Sequence, residues 1–427
     1  MSGPDVDEQY GRDLMRRLAS EPDAPSRIDL SAAVAAGRRR RRIRRSSAAA
    51  AAVAVTTMMV AAAPTVLNAV HLGPDSDNRP DVASTADAGP TPRPSSADSG
   101  PTPRTMATTA PTDCRPTWLP VPSEGSQVAS LDAGDPTGTW HAGRHRAADG
   151  DSNYLIMIWN DGQLVQRSIE LPGANQIMND INASGTAVGQ THHDGLDRPY
   201  AFVGGKTVQL PGVAGGAAAA INEAGTIVGY RRERTDTAPV RWDSAATAAV
   251  DLPMPAGYDA GVAVGVDEDG TVVGLIRPPD KQPRPYLWRP DGTGDPLPVP
   301  TIGGKSARQF NPTGVRNGWV VGNAVADGAA TSQPYRYDIG TRVFERLADD
   351  EVIIGAVNGS GWAVGNRHGG GRTEAVYFTG AGSQVLPFTI NGLGHGSHGM
   401  AVSDDGRTVA GNLQLGAGTR PGLWSCT

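Results

Sequence analysis

INEAGTIVG, residues 221–229, is the stretch that decides the fold, because it recurs along the chain in altered forms. The copies share an Asn or Asp, a Gly shortly after it, small or β-branched residues, and a closing Gly. The others are INASGTAVG at 181, VDEDGTVVG at 266, VRNGWVVG at 315, VNGSGWAVG at 357, VSDDGRTVAG at 402 and the divergent LDAGDPTGTWHAG at 131. Self-similarity of this kind indicates a repeat architecture.

The closing glycines set the period of the repeat, which averages about 45 residues between Gly143 and Gly411. They are Gly143, Gly189, Gly229, Gly274, Gly322, Gly365 and Gly411. An aromatic residue follows each glycine: Trp159, Phe202, Trp242, Trp288, Tyr337, Phe378 and Trp424. A Leu, usually before Pro, then follows all but the last aromatic: Leu171, Leu210, Leu252, Leu297, Leu347 and Leu386. Seven copies therefore carry the glycine and the aromatic in the same order, and six of them also carry the Leu.

Each copy has the composition of four short strands. A small-residue strand leads into an Asn/Asp-Gly turn, and strands ending in Val-Gly, in the aromatic and in Leu-Pro follow. Four strands in about 45 residues is the size of a propeller blade. The sequence therefore predicts an all-β, seven-bladed β-propeller over residues 114–427, with the aromatics in the blade cores.

The last blade lacks its fourth strand, because the chain ends soon after Trp424. Leu119 and Pro120, before the first copy, match the missing marker, so we expect the N-terminal strand to complete the last blade. This closure brings Cys114 and Cys426 together and predicts a disulfide on the oxidising side of a membrane. The alternative is two free cysteines at loosely ordered chain ends.

The N-x-x-G-x-x-V-G core and the aromatic strand resemble bacterial extracellular HAF-type repeats and, more distantly, WD40-like propellers. The resemblance covers about 310 residues and implies a propeller. True WD40 units differ, since Trp-Asp occurs once, at Trp242 and Asp243, and the expected His is missing.

Residues 46–70 contain no charged side chain and are long enough to cross a bilayer as a helix. Seven Arg residues between positions 38 and 45 precede this segment, which predicts a cytoplasmic N-terminus and an extracellular propeller. A cleaved signal peptide is the alternative, although the 45 residues before the uncharged segment are more than a signal peptide usually has before its apolar region. Residues 71–113 are rich in Pro, Ser and Thr, which predicts a disordered linker.

Residues 1–45 form the predicted cytoplasmic tail, in which Tyr10, Leu14 and Leu18 define one apolar helix face. An unstructured leader and a docking site for a cytoplasmic protein both fit this pattern. The DLMRRLASEP-like helix, the Arg run and the Ala-rich span resemble leaders of actinobacterial membrane proteins associated with sigma factors. The zinc-binding His and Cys-x-x-Cys pattern of one such class is missing.

The sequence offers little for catalysis or metal binding. The acidic turn residues near Gly270 and Gly406 lack calcium-loop spacing. His395 and His398, with His192 and His193, lack a complete ligand set and are expected in exposed loops. The first strands carry mainly Ala, Gly, Ile and Val, which leaves few inward carboxylates. We therefore expect no enzyme activity, cofactor or metal site, and the acidic outer region argues against nucleic-acid binding.

These observations favour a membrane-anchored, non-enzymatic binding or sensing module that recognises a protein, peptide or cell-wall ligand on a propeller face. A cytoplasmic partner of the tail, such as a sigma factor, would make it a signalling protein. A surface scaffold or adhesion protein without signalling is the first alternative. A carbohydrate-active enzyme is the second.

Overall fold

The computed structural model describes residues 109–122, 128–146, 154–169, 171–233, 236–279, 282–390, 394–416 and 418–427. All secondary structure elements of these residues are β-strands. They form seven four-stranded antiparallel sheets and one two-stranded hairpin. This part of the chain contains no helix that could span a membrane. The predicted tail, membrane-spanning segment and most of the linker lie outside the described residues.

Each four-stranded sheet is one blade, with its strands paired in chain order. Blade 1 contains β2 (Ala129–Gly134), β3 (Trp140–Arg146), β4 (Tyr154–Asn160) and β5 (Gln163–Ile169). Blade 2 contains β6 (Ala174–Ile181), β7 (Ala187–His193), β8 (Leu196–Val203) and β9 (Lys206–Gln209). Blade 3 contains β10 (Gly216–Ile221), β11 (Ile227–Glu233), β12 (Asp236–Trp242) and β13 (Val250–Asp251). Blade 4 contains β14 (Ala260–Val266), β15 (Val272–Arg277), β16 (Arg284–Trp288) and β17 (Gly294–Pro296).

The remaining blades follow a short hairpin that the sequence did not predict, made of β18 (Thr301–Ile302) and β19 (Lys305–Ser306). Blade 5 contains β20 (Gln309–Arg316), β21 (Trp319–Val325), β22 (Ser332–Asp338) and β23 (Val343–Arg346). Blade 6 contains β24 (Val352–Val357), β25 (Ala363–Gly369), β26 (Arg372–Thr379) and β27 (Gly382–Val385). Blade 7 contains β28 (Gly396–Val402), β29 (Thr408–Leu415), β30 (Gly418–Cys426) and, from the start of the propeller, β1 (Cys114–Trp118).

The ring closes as predicted, with the N-terminal strand β1 completing the last blade. Strand β1 pairs antiparallel with β30, and Cys114 lies opposite Cys426. These two cysteines form a disulfide between residues 312 positions apart. The alternative of two free cysteines is therefore wrong.

The closing glycines lie opposite a β-bulge in the first strand of every blade. The bulge residues are Asp132, Asn179, Ala219, Val264, Thr313, Gly355 and Met400. A Cβ atom on Gly229 would lie 2.0 Å from the carbonyl oxygen of Ala217, so only glycine fits there. The sequence predicted that the second strand ends at this glycine, and that prediction is wrong. Strand β11, for example, continues to Glu233.

The aromatic and Leu-Pro markers join neighbouring blades. The aromatics lie within two residues of the ends of the third strands and are almost completely buried. The indole N–H of Trp242 donates to the carbonyl oxygen of Pro211 in the preceding blade, at 2.9 Å. The same bond links Trp159 with Pro120, Trp288 with Pro253 and Trp424 with Pro387. The Trp159 bond attaches blade 1 to the residues after β1, and it gives a second, non-covalent connection across the closure.

The motif asparagines also join blades, in addition to forming their own turns. The side-chain oxygen of Asn222 accepts the N–H of Thr226 within the turn, and its amide donates to the carbonyl oxygen of Asp267 in the next blade. Asn182 and Asn358 make the equivalent inter-blade bonds. We call the side of the propeller that carries these turns, between the first and second strands, the turn face.

Candidate active site

The first strands of the seven blades surround a central channel of about 200 Å³. One ring of channel residues directly follows the bulges, and six of its seven members are Ala or Gly. The ring consists of Ala133, Asp180, Ala220, Gly265, Gly314, Ala356 and Ala401. Asp180 is therefore the single ionisable side chain of this ring.

Asp180 is held by backbone donors from two neighbouring blades. Its Oδ1 atom accepts the N–H of Ile181, and its Oδ2 atom accepts the N–H of Ile221, both at 2.9 Å. Burial raises the pKa of Asp180 to about 7, although these two bonds and the positive charge of Arg316 oppose the rise. Some of its surface is exposed to the channel, yet protein surrounds the carboxyl group. Asp180 can therefore hold or release a proton near neutral pH.

Arg316 lies at the turn-face end of the channel, where β20 ends. Its Nη2 atom lies 2.6 Å from Asp404 of blade 7, and its Nη1 atom bonds Glu268 of blade 4. Burial works to lower the pKa of Arg316, but the bond to Asp404 and the surrounding carboxylates outweigh it and raise that pKa. The guanidinium group is therefore a permanent cation at this mouth of the channel.

Asp132, the bulge residue of blade 1, is a second acidic group in the channel wall. Its side chain is 1% exposed, and its Oδ2 atom lies 3.4 Å from Nε of Arg144. Arg144 also donates to the carbonyl oxygen of Gln176 in blade 2, at 3.3 Å. Burial raises the pKa of Asp132 to about 6, against the charge of Arg144. This pair joins blades 1 and 2, so Asp132 is better explained as a structural group than as a catalytic one.

The residues predicted from the repeat do not line the channel. The seven closing glycines lie in the second strands, the seven aromatics fill the blade interiors, and the disulfide lies at the ring closure. Sequence reasoning missed Asp180, Asp132 and Arg316 as a group. A signal was present for Asp180, since an alignment of the seven copies places it where the other copies have Ala or Gly.

The histidines considered as metal ligands lie in different surroundings. His395 is exposed, and the Nδ1 atom of His192 lies 2.9 Å from Oδ1 of Asp197. His398 is partly buried, contrary to the expectation of an exposed loop, and burial lowers its pKa to about 4. Among the described residues, no three His, Cys, Asp or Glu side chains are placed to hold a metal ion.

No protein-family model and no curated protein matches the chain. Solved propellers do match it. The propeller domain of the Trilobed protease from Pyrococcus furiosus is 14% identical, with a TM-score of 0.50 over 70% of this chain and 95% of that one. An oligogalacturonate lyase in complex with manganese is 14% identical, with a TM-score of 0.50 over 75% of this chain and 99% of that one. A prolyl endopeptidase is 10% identical, with a TM-score of 0.48 over 70% of this chain and 50% of that one.

These likenesses show the propeller fold, and at such low identity they show the fold alone. The Trilobed protease propeller is described as having an open velcro topology. The present chain differs, because its own N-terminal strand and a disulfide close the ring.

The predicted function, a non-enzymatic binding or sensing module with or without signalling, is contradicted. The two structures similar at a TM-score of 0.50 are a protease propeller and an oligogalacturonate lyase, and neither is named as a signalling or adhesion protein. The sequence predicted few inward carboxylates, and Asp180 and Asp132 are among the residues that line the channel. The absence of enzyme activity stays a prediction.

Proposed function

We propose that this protein is an acid–base enzyme of the cell envelope, with the central channel as its active site and Asp180 as the proton-transferring residue. One observation carries the proposal: a carboxyl group with a pKa of about 7 is the single ionisable member of a ring of Ala and Gly. A catalytic acid or base works best when its pKa is close to the working pH.

The surroundings of Asp180 suit it to the role of a base. The two backbone N–H groups hold the carboxylate in one orientation, and Arg316 favours its ionised form. In amide hydrolysis, that form of Asp180 would take a proton from the water that attacks the carbonyl carbon and give it to the leaving amine as the C–N bond breaks. In an elimination, it would take a proton from a substrate carbon and give it to the oxygen that leaves as the C–O bond breaks. The reaction classes to test first are amide hydrolysis and sugar-acid elimination, which the names of the similar peptidases and the similar lyase suggest.

The size of the channel restricts the substrate. A cavity of about 200 Å³ is smaller than the roughly 300–1,000 Å³ of typical ligand pockets. The channel therefore suits a single terminal unit of a peptide or cell-wall polymer, with the rest of the polymer lying on a propeller face.

An envelope location is part of the proposal. Residues 46–70 would anchor the protein, with residues 1–45 in the cytoplasm and the propeller outside, where the HAF-type repeats that the sequence resembles are found. The Arg run before the anchor supports this orientation. The disulfide between Cys114 and Cys426 supports it independently, because such bonds persist in oxidising compartments.

Turnover by the full-length protein in mild detergent tests the function. A panel of linear peptides and of acidic oligosaccharides is incubated between pH 5 and 9, and mass spectrometry identifies the products. We expect kcat/KM for one class to rise through about pH 7 as Asp180 loses its proton.

Asp180→Asn keeps the shape of the side chain but cannot accept the proton, so kcat/KM should fall at least about 100-fold. Asp243→Asn is the matched control, because Asp243 is exposed and pairs with Arg241 away from the channel. Its activity should be unchanged. No turnover of either class, or full activity of Asp180→Asn, would show that the proposal is wrong.

A further inference from the structure

The ion bridge of Arg316 crosses the channel at the turn face. Glu268 belongs to blade 4 and Asp404 to blade 7, and these two blades are not neighbours in the ring. Blades 5 and 6 separate them on one side, and blades 1, 2 and 3 on the other. One guanidinium group can bond both carboxylates only if it lies across the mouth of the channel.

Both carboxylates are fixed to further blades, which holds the bridge in place. Glu268 accepts the backbone N–H of Glu223 in blade 3, at 3.0 Å. Asp404 accepts the backbone N–H of Gly359 in blade 6, at 2.7 Å. The side chain of Arg316 is 16% exposed, so it is packed into the mouth rather than extended into solvent. The bridge thus connects blades 3 to 7 over one end of the channel.

At the opposite end of the channel, an apolar residue of the wall is exposed to solvent. Ile353 and Val357 lie four residues apart on the same strand, β24, and both line the channel. Ile353, at the end away from the turn face, is 37% exposed, which is unusual for a large apolar residue in the wall of a cavity. Val357 lies next to the mouth that Arg316 crosses.

We propose that Arg316 closes the turn-face mouth, so that the channel is a blind pocket that substrate enters from the opposite face. A blind pocket admits the end of a linear chain but not its middle, and the enzyme would therefore act on chain termini. The part of this inference that concerns substrate rests on the proposed function. The closure itself does not.

Cysteine labelling tests the closure without any enzyme assay. Ile353→Cys and Val357→Cys are introduced separately into the full-length protein, and the rate of reaction with N-ethylmaleimide is measured with the native disulfide intact. With Arg316 present, Val357→Cys should react about tenfold more slowly than Ile353→Cys, because the reagent must pass the narrow ring at Ala356. Equal rates would overturn the proposal.

Removing the Arg316 side chain should change the labelling rate of Val357→Cys and not that of Ile353→Cys. Adding Arg316→Ala should speed the labelling of Val357→Cys about tenfold and leave that of Ile353→Cys within about twofold. Arg289→Ala is the matched control, since Arg289 forms an exposed pair with Asp295 away from the channel. If Arg316→Ala fails to fold, Glu268→Gln removes one of the two anchors and should give a smaller acceleration. No acceleration in the folded variant overturns the closure.

The preference for chain ends is tested with linear peptides and the same peptides cyclised head to tail. The wild-type protein should consume the linear peptides and leave the cyclic ones intact. Equal consumption of both would overturn the chain-end preference. If labelling behaves as expected but no substrate of either class is consumed, the proposed function fails while the closure of the channel stands.

Discussion

Two sides of the ring use different chemistry for the same task, which is to join the first strand of one blade to its neighbour. At the junctions of blades 5 and 6, 6 and 7, and 7 and 1, an Asn directly after the closing glycine donates to one backbone group and accepts from another. These residues are Asn323, Asn366 and Asn412. We call these three junctions the neutral side of the ring.

At the junctions of blades 1 and 2, and 2 and 3, ionisable side chains take part. Arg144 follows its closing glycine, pairs with Asp132 and donates to the carbonyl oxygen of Gln176. At the next junction Asp180 accepts the N–H of Ile221, beside an amide bond from Asn179 to the carbonyl oxygen of Ala218. We call these two junctions the charged side. A neutral amide satisfies a buried backbone without an ionisation cost, whereas a buried carboxylate is costly unless it is paired. Stability explains the neutral side and the Arg144–Asp132 pair, whereas Asp180 is the group to which we assign a further task.

The ring closure, on the neutral side, should give the largest effect on stability. Cys114→Ser removes the bond that joins β1 to β30 and closes a loop of 312 residues. We expect a loss of about 4 kcal/mol in the free energy of unfolding, mainly because the unfolded chain gains freedom. Urea denaturation of the variant measures the loss, and reduction of the wild-type protein should reproduce it. A loss below about 1 kcal/mol would mean that the Trp159 and strand contacts alone hold the closure.

Removing one amide from the neutral side should have the next largest effect. Asn412→Ala leaves both the N–H and the carbonyl oxygen of Leu131 without their partner. We expect a loss of about 3 kcal/mol, since each unpaired buried group costs roughly 1–3 kcal/mol. Gln414→Ala, two residues further along β29, is the control and should change stability much less. Similar losses for both variants would contradict the role given to Asn412.

The charged side should make stability depend on pH. The pKa values of Asp132 and Asp180 are raised from 3.8 to about 6 and about 7. Between pH 4 and 7, Asp132 and Asp180 keep protons in the folded chain that they have lost in the unfolded chain. The free energy of unfolding therefore falls as pH rises from about 4 to 7. Asp132→Asn should remove about 3 kcal/mol of this fall. An unchanged slope in denaturation midpoints between pH 4 and 7 would show that Asp132 is not buried as a neutral acid.

The smallest expected effect on stability is that of Asp180→Asn, even though it should remove activity. The amide oxygen can still accept one of the two backbone N–H groups, and the cost of burying a charge disappears. The two changes oppose each other, so we expect a difference within about 1 kcal/mol at pH 7. Urea denaturation measures it. A loss as large as that of Asn412→Ala would place Asp180 with the structural junctions and weaken its assignment as the catalytic residue.

Much of the fold was predictable because the repeat is local in the sequence. The glycine, aromatic and Leu-Pro markers predict the blade size and number, and the displaced Leu119 with Cys114 predicts the closure. The extra hairpin of β18 and β19 was not predicted, since it is an insertion that the other copies lack. The end of the second strand was placed too early, because the bulge that requires the glycine interrupts only the register with the first strand and not the strand itself.

The candidate active site was predictable to a much smaller extent. Asp180 is visible in the sequence as a polar residue among small ones, but a single copy of a repeat gives no reason to prefer a channel position over a surface turn. Arg316 appears as an ordinary turn residue in VRNGWVVG. Its partners Glu268 and Asp404 are 48 and 88 residues away, so no sequence spacing connects them.

The sequence by itself determined the all-β class, the seven blades, the strand that closes the ring and the cysteines that lock it. These features follow from patterns that repeat about every 45 residues or from one unmatched marker at each end. Only the tertiary structure decided which side chains meet in the channel, that burial raises the pKa of Asp180 there, and that Arg316 crosses one mouth. Ring closure causes this difference, because it brings residues from separate blades to one axis and removes water from around them.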